Sequence, residues 1–171
     1  MTGERTGETV DDAQEWLSTI AQGERWHDHR AAPIPPSPQT MSVGLPAVPE
    51  SVKEARDFAQ GVLDSWGLAD MYDDVRLVVS ELVTNALRYA GYSAERHEGV
   101  PIRVSLLRTS GRLTCAVTDP CDQIPMRREP DSISQSGRGL HLVEAFSDSW
   151  NWAPLSSRGK VVWACFRCPD C

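Results

Sequence analysis

The chain has 171 residues, 40% of them apolar, and a formal net charge of −7. That length suffices for one domain with a core, and no apolar stretch is long enough to cross a membrane as a helix. With no basic stripe and no signal peptide, the composition argues against direct nucleic-acid binding and makes the cytoplasm the default location.

The acid excess lies at the start, where residues 1–50 hold eight Asp and Glu against three Arg. Residues 12–20 suit a short helix with Trp16, Leu17 and Ile20 on one side, and Ala31-Ala32-Pro33-Ile34-Pro35-Pro36-Ser37-Pro38 is a linker that continues neither helix nor sheet. Residues 1–41 read as a flexible, acidic, proline-rich extension, and residues 42–171 as the folded domain. Trp16 and Trp26 are costly to leave in water and are expected to dock on a partner or on the domain itself.

An edge strand is expected near Ser42, followed by a helix over 49–66 with Val52, Ala55, Phe58, Ala59 and Val62 at helical spacing. Gly67 ends it, and Asp70 caps a second helix that runs to about residue 90. Val75, Val79, Leu82 and Ala86 give that helix a core face, while Glu81 and Asn85 lie together on the other side, about 6 Å apart. After a polar loop at 91–99, Ile102, Val104 and Leu106 mark one strand. Leu113, Cys115 and Val117 mark another, which runs into Asp119. Residues 120–136 form a long stretch rich in Pro, Ser, Asp and Arg, of a length usually functional or mobile. Gly137-Arg138-Gly139-Leu140 opens a short helix with Leu142 and Phe146 four residues apart. A strand near 147–152, a turn at 156–159 and a last strand at 160–167 complete the chain. This order predicts an α+β fold, a two-layer α/β sandwich whose mixed, mostly antiparallel sheet carries helices on one face.

The five cysteines are an odd number, so free thiols are expected rather than a disulfide framework. Cys165-x-x-Cys168-x-x-Cys171 has metal-like spacing, yet three thiols without a nearby His make a poor closed zinc site.

Three segments carry chemistry. The amide oxygen of Asn85 can ligate a hard cation such as Mg²⁺, and the carboxylate of Glu81 can orient or deprotonate a hydroxyl near a phosphate. Asp119, where the chain leaves a strand, can accept from the exocyclic amine of adenine, although Asp119-Pro120 equally suits a turn-capping acid. Gly137-x-Gly139 at a helix start lets backbone N–H groups approach a phosphate, with Arg138 adding a cation.

Glu81-Leu82-Val83-Thr84-Asn85-Ala86, Val117-Thr118-Asp119 and Gly137-Arg138-Gly139-Leu140-His141-Leu142-Val143 resemble the boxes of the GHKL (Bergerat-fold) ATP-binding superfamily. The likeness is to its small bacterial branch of anti-sigma factor serine kinases, and Gly159-Lys160-Val161-Val162-Trp163-Ala164 resembles that branch's last strand. The resemblance implies ATP and Mg²⁺ as cofactors, with Glu81 as general base and Asn85 as metal ligand. Asp119 would read adenine, Tyr89 would stand beside the nucleotide, and Gly137, Arg138, Gly139 and Leu140 would belong to a lid over the phosphates. It implies a serine/threonine protein kinase in a partner-switching pathway, binding a sigma factor and an anti-sigma antagonist. Homodimers are common in the branch, so a second copy of the chain is a candidate partner. Three positions depart from the pattern: Tyr89 where many relatives have a basic residue, Cys121 where a glycine is usual, and Val161 where a Thr often holds adenine. They motivate an alternative, a non-catalytic or degenerate regulator on the same fold. A sensor histidine kinase fragment fits less well, because no phosphoacceptor helix pair precedes the domain.

Overall fold

The computed structural model describes residues 38–91, 102–121, 139–156 and 159–171. Trp16, Trp26, Gly137, Arg138 and nearly all of the 120–136 stretch lie outside the described residues, as does the side chain of Tyr89.

The described chain begins with β1 (Gln39–Leu45), which starts before the expected Ser42. Ser51 Oγ donates to the Pro46 carbonyl at 2.6 Å and pins the turn into α1 (Ser51–Ser65). A short 3₁₀ turn over Ala69–Met71 leads into α2 (Tyr72–Gly91). Asp70 lies inside this turn rather than capping α2 from outside, because the tighter winding begins before the α-helix does. Then come β2 (Ile102–Thr109), β3 (Arg112–Asp119), α3 (Gly139–Phe146), β4 (Ser149–Pro154) and β5 (Lys160–Arg167).

The strands form one sheet in the order β1-β2-β3-β5-β4, and every neighbouring pair is antiparallel. Strand alternation divides it into two faces. Val104, Leu106, Leu113, Cys115, Val117, Val162, Ala164 and Phe166 pack with the helices in one apolar cluster. From α2, Val75, Val78, Val79, Leu82, Val83 and Ala86 enter that cluster, so the core face expected from the 3.6-residue period is present. Each of the larger of these side chains contributes about 1.5–3 kcal/mol by leaving water. In α3 the buried residues are Leu140 and Val143, whereas Phe146 is exposed. The expected Leu142/Phe146 pair therefore does not make the core side, which follows a three-residue spacing over these two turns. Ala116, Val161, Trp163 and Cys165 form a separate cluster on the other face of the sheet.

The cysteines correct one expectation. Cys168 and Cys171 form a disulfide, while Cys115, Cys121 and Cys165 are buried thiols. A turn just after β5, closed by Cys171 N–H donating to the Cys168 carbonyl at 3.0 Å, sets the two Cα atoms 5.2 Å apart, within bridging range. Those two sulfurs are thus committed to each other rather than to a metal. Burial pushes the Cys115 thiol up to about 12, with Cys165 adding to the effect.

Gly159, in the turn between β4 and β5, has φ +85°, and a Cβ there would overlap the carbonyl oxygen of Asp119. Only glycine suits both the left-handed backbone and this close approach. Replacing Gly159 with Ala is expected to lose about 1–3 kcal/mol from backbone strain alone, read as a lower urea midpoint at unchanged slope.

Candidate functional site

Two helices bring Glu81, Asn85 and Gly139 together, and Asp119 lies at one end of the sheet. Glu81 and Asn85 lie one turn apart on α2, both half-buried, on the side away from Val79, Leu82 and Val83. Their backbones are fixed because the opposite side of the helix is locked into the core. The start of α3 abuts this pair. A Cβ built on Gly139 would stand 2.9 Å from Glu81 Oε2 and 3.2 Å from both Asn85 Nδ2 and Oδ1. Glycine at that position lets a helix N-terminus, with its outward N–H groups and partial positive charge, sit against the acid and the amide.

Burial raises the Glu81 carboxyl above the ordinary glutamate range, and Arg88, one helical repeat onward, partly opposes the rise. A glutamate with higher proton affinity is a better base toward a hydroxyl near neutral pH. An amide oxygen beside a carboxylate is a donor set for a hard cation, so Asn85 and its surroundings fit Mg²⁺ held jointly with phosphate oxygens. Among the described residues, no three His, Cys, Asp or Glu converge as a metal cluster.

Asp119 closes β3 and is buried, but it is already engaged. Its Oδ1 accepts from Lys160 Nζ at 3.0 Å and from the Cys121 backbone N–H at 2.8 Å. Lys160 Nζ also donates to the Cys121 carbonyl at 3.0 Å, and the ion pair is almost wholly shielded from water. Antiparallel register sets Asp119 opposite Lys160, which is how two residues far apart in sequence come to share a buried site. Asp119 thus caps its own turn and pairs with a cation at once.

Sequence reasoning missed Lys160, assigning it only to the start of a strand. The available signal was the antiparallel pairing of a strand that ends in Asp with one that begins in Lys. Val161, named from the resemblance as the change beside adenine, instead belongs to the cluster on the far face of the sheet, and Lys160 is the residue that reaches Asp119. Cys121 is buried and contributes its backbone to this network. Leu140 is buried at the start of α3. The structure therefore brings Glu81, Asn85 and Gly139 into contact range, with Leu140 next to Gly139 in the chain. Gly137, Arg138 and the Tyr89 side chain lie outside the described residues.

Comparison with known proteins identifies the family. Residues 45–166 match the histidine kinase-like ATPase domain. The serine-protein kinase RsbW of Bacillus subtilis is 30% identical over 121 residues, covering 63% of this chain and 74% of that protein. The serine-protein kinase RsbW of Bacillus licheniformis is 29% identical over 116 residues, covering 60% of this chain and 71% of the relative. These kinases agree with the branch that the three boxes resemble. From the matched span, which takes in Glu81, Asn85, Asp119 and Gly139, the chain belongs to the histidine kinase-like ATPase domain family, near its anti-sigma serine kinases.

Proposed function

We propose that the protein is an ATP-dependent serine/threonine protein kinase of a partner-switching pathway that controls transcription. The observation that carries this reading is the abutment of Gly139 on the Glu81/Asn85 pair. It supports the reading because a carboxylate, an amide and a helix N-terminus around one point suit the positioning and charge neutralisation that phosphoryl transfer requires. ATP is the phosphoryl donor. Gly139, with Gly137 and Arg138 by resemblance, would hold its phosphates, and Asp119 would accept from its adenine amine. The Lys160 ammonium beside that carboxylate supplies a donor for a purine ring nitrogen, a role that a neutral hydroxyl fills less strongly. Asn85 holds Mg²⁺, which when bound neutralises charge on the phosphate oxygens. Glu81 takes the proton of a seryl or threonyl hydroxyl as that oxygen attacks the terminal phosphorus, and ADP leaves. By analogy with the branch, the hydroxyl belongs to an anti-sigma antagonist and a sigma factor is the second partner, with the protein working in the cytoplasm. No helix among the described residues is long and apolar enough to cross a membrane.

A second reading, a regulator that binds partners without turnover, is favoured by one observation: the Asp119 carboxylate already carries a buried ammonium. An adenine amine must share that carboxylate with Lys160.

The two readings separate with radiolabelled ATP, Mg²⁺ and candidate antagonist proteins. The kinase reading expects label on a Ser or Thr of the antagonist, lost in Glu81→Gln while nucleotide binding by calorimetry persists. Asn85→Ala is expected to lose the Mg²⁺-dependent part of that binding. Binding without transfer in the unaltered protein supports the second reading and defeats the first.

Gly139→Ala is expected to leave the melting temperature nearly unchanged, because the clashing atoms are the ends of side chains that can turn aside. The same substitution is expected to weaken nucleotide binding by displacing Glu81 and Asn85, as read by calorimetry. Glu81 gives a pH signature of opposite signs for activity and stability. Its proton affinity is raised in the folded state, so its stabilising contribution is present at low pH and is lost as pH rises through the folded value. Glu81→Gln is therefore expected to melt higher than the parent at neutral pH and to match it below the ordinary glutamate range. The acid limb of kcat/KM is expected to lie above that range in the parent.

A further inference from the structure

On the face of the sheet turned away from the helices, the central strands are dry, whereas Thr40, Ser42, Ser149 and Asn151 on the two outer strands are exposed. Trp163 is 9% exposed, Cys165 3%, Ala116 1% and Val161 0%, although no residue of α1, α2 or α3 belongs to their cluster. Leu107 and Thr114, in register with Cys165 across the strands, are also buried. Two polar pairs on this face lie side by side across neighbouring strands. Ser42 Oγ lies 2.8 Å from Ser105 Oγ, and Thr114 Oγ1 lies 3.6 Å from Cys165 Sγ. An uncovered outer face of an antiparallel sheet is ordinarily solvated and polar, so something excludes water here.

We propose that residues 1–37 of this same chain form a strap that covers this face, seating the apolar side made by Trp16, Leu17, Ile20 and Trp26 over Trp163 and its neighbours. Three observations select this occupant. The first is where each undescribed segment joins the sheet. Residues 92–101 enter β2 at Ile102, and residues 122–138 follow just beyond Asp119, both at the sheet end that carries the Asp119–Lys160 pair. The leading segment instead enters β1 at Gln39, and Thr40 is level with the Leu107, Thr114 and Cys165 row. The second is reach. Trp163 lies three strands from β1, roughly 14 Å at ordinary strand spacing, a span that a few extended residues cross. The third is charge. Residues 1–37 hold seven acids against three arginines, while strand alternation puts Arg103, Arg112 and Arg167 on the covered face at its margins. An acidic segment with two tryptophans complements a small-residue apolar strip rimmed by arginine.

The strap is testable in the full-length protein by photo-cross-linking from a benzophenone amino acid placed at Trp16 or at Trp26, using a mixture of light and heavy isotope chains. The proposal expects cross-links within one chain, to peptides that contain residues 103–118 or 161–167. Cross-links only between chains would make a second copy the cover and overturn it, as would cross-links confined to α1, α2 or α3, or none. A second measurement follows alkylation site by site. In the double variant W16S/W26S, Cys165 is expected to react about tenfold faster while Cys115, on the helix side, stays inert. Unchanged Cys165 reactivity overturns the strap. If both thiols become reactive, the variant has unfolded and the cross-links on the otherwise unaltered chain decide.

Discussion

The buried contact between Lys160 and Asp119 is the constraint on which the site end of the molecule depends. It joins the last residue of β3 to the first of β5, and it occurs where Gly159 brings the β4–β5 turn against the Asp119 backbone. Two charges removed from water must each be satisfied, and here the ammonium also holds the Cys121 carbonyl while the carboxylate also holds the Cys121 N–H. Losing either partner leaves an uncompensated buried charge, which generally destabilises by about 3–5 kcal/mol. The pair therefore ties the exit of β3 to the sheet and fixes the carboxylate's direction before any ligand arrives.

Helix α2 supplies the second half of the site by a different physical route. Its core side is made of valine, leucine and alanine, and nothing polar interrupts it from Val75 to Ala86. The rigidity of that packing sets Glu81 and Asn85 at a fixed spacing, and the glycine at the head of α3 allows a close approach that any side chain would prevent. The two clusters differ in character: one sets a helix N-terminus against an acid and an amide, and the other is a buried ion pair.

Much of this was legible in the sequence because period and box order are local signals. The 3.6-residue pattern of α2 and the alternation in β2 and β3 reported both the elements and their buried sides, and the acid and amide on α2 stood out only in company with the other two boxes. What escaped was set by register and by turns. Lys160 became important only through its place opposite Asp119, a pairing between strands that no local window contains. The same holds for Val161, whose side was decided by the phase of β5. Cys168 and Cys171 were expected to stay reduced on grounds of compartment, but the turn after β5 brings them into range. In α3, eight residues are too few for the apolar period to distinguish Leu140/Val143 from Leu142/Phe146.

The position of β1 has a consequence for how the chain is made. Among the described residues it stands at the sheet edge and pairs with β2 alone, so that Ser42 meets Ser105 across 63 positions of sequence. On a ribosome, β1 emerges ahead of α1 and α2, yet nothing it can pair with exists until both helices and the start of β2 have followed. Closing so wide a loop is slow compared with winding a helix. The first of the described strands to be synthesised is thus among the later ones to lock, and throughout that delay its backbone is an edge that a chaperone or a second nascent chain can occupy.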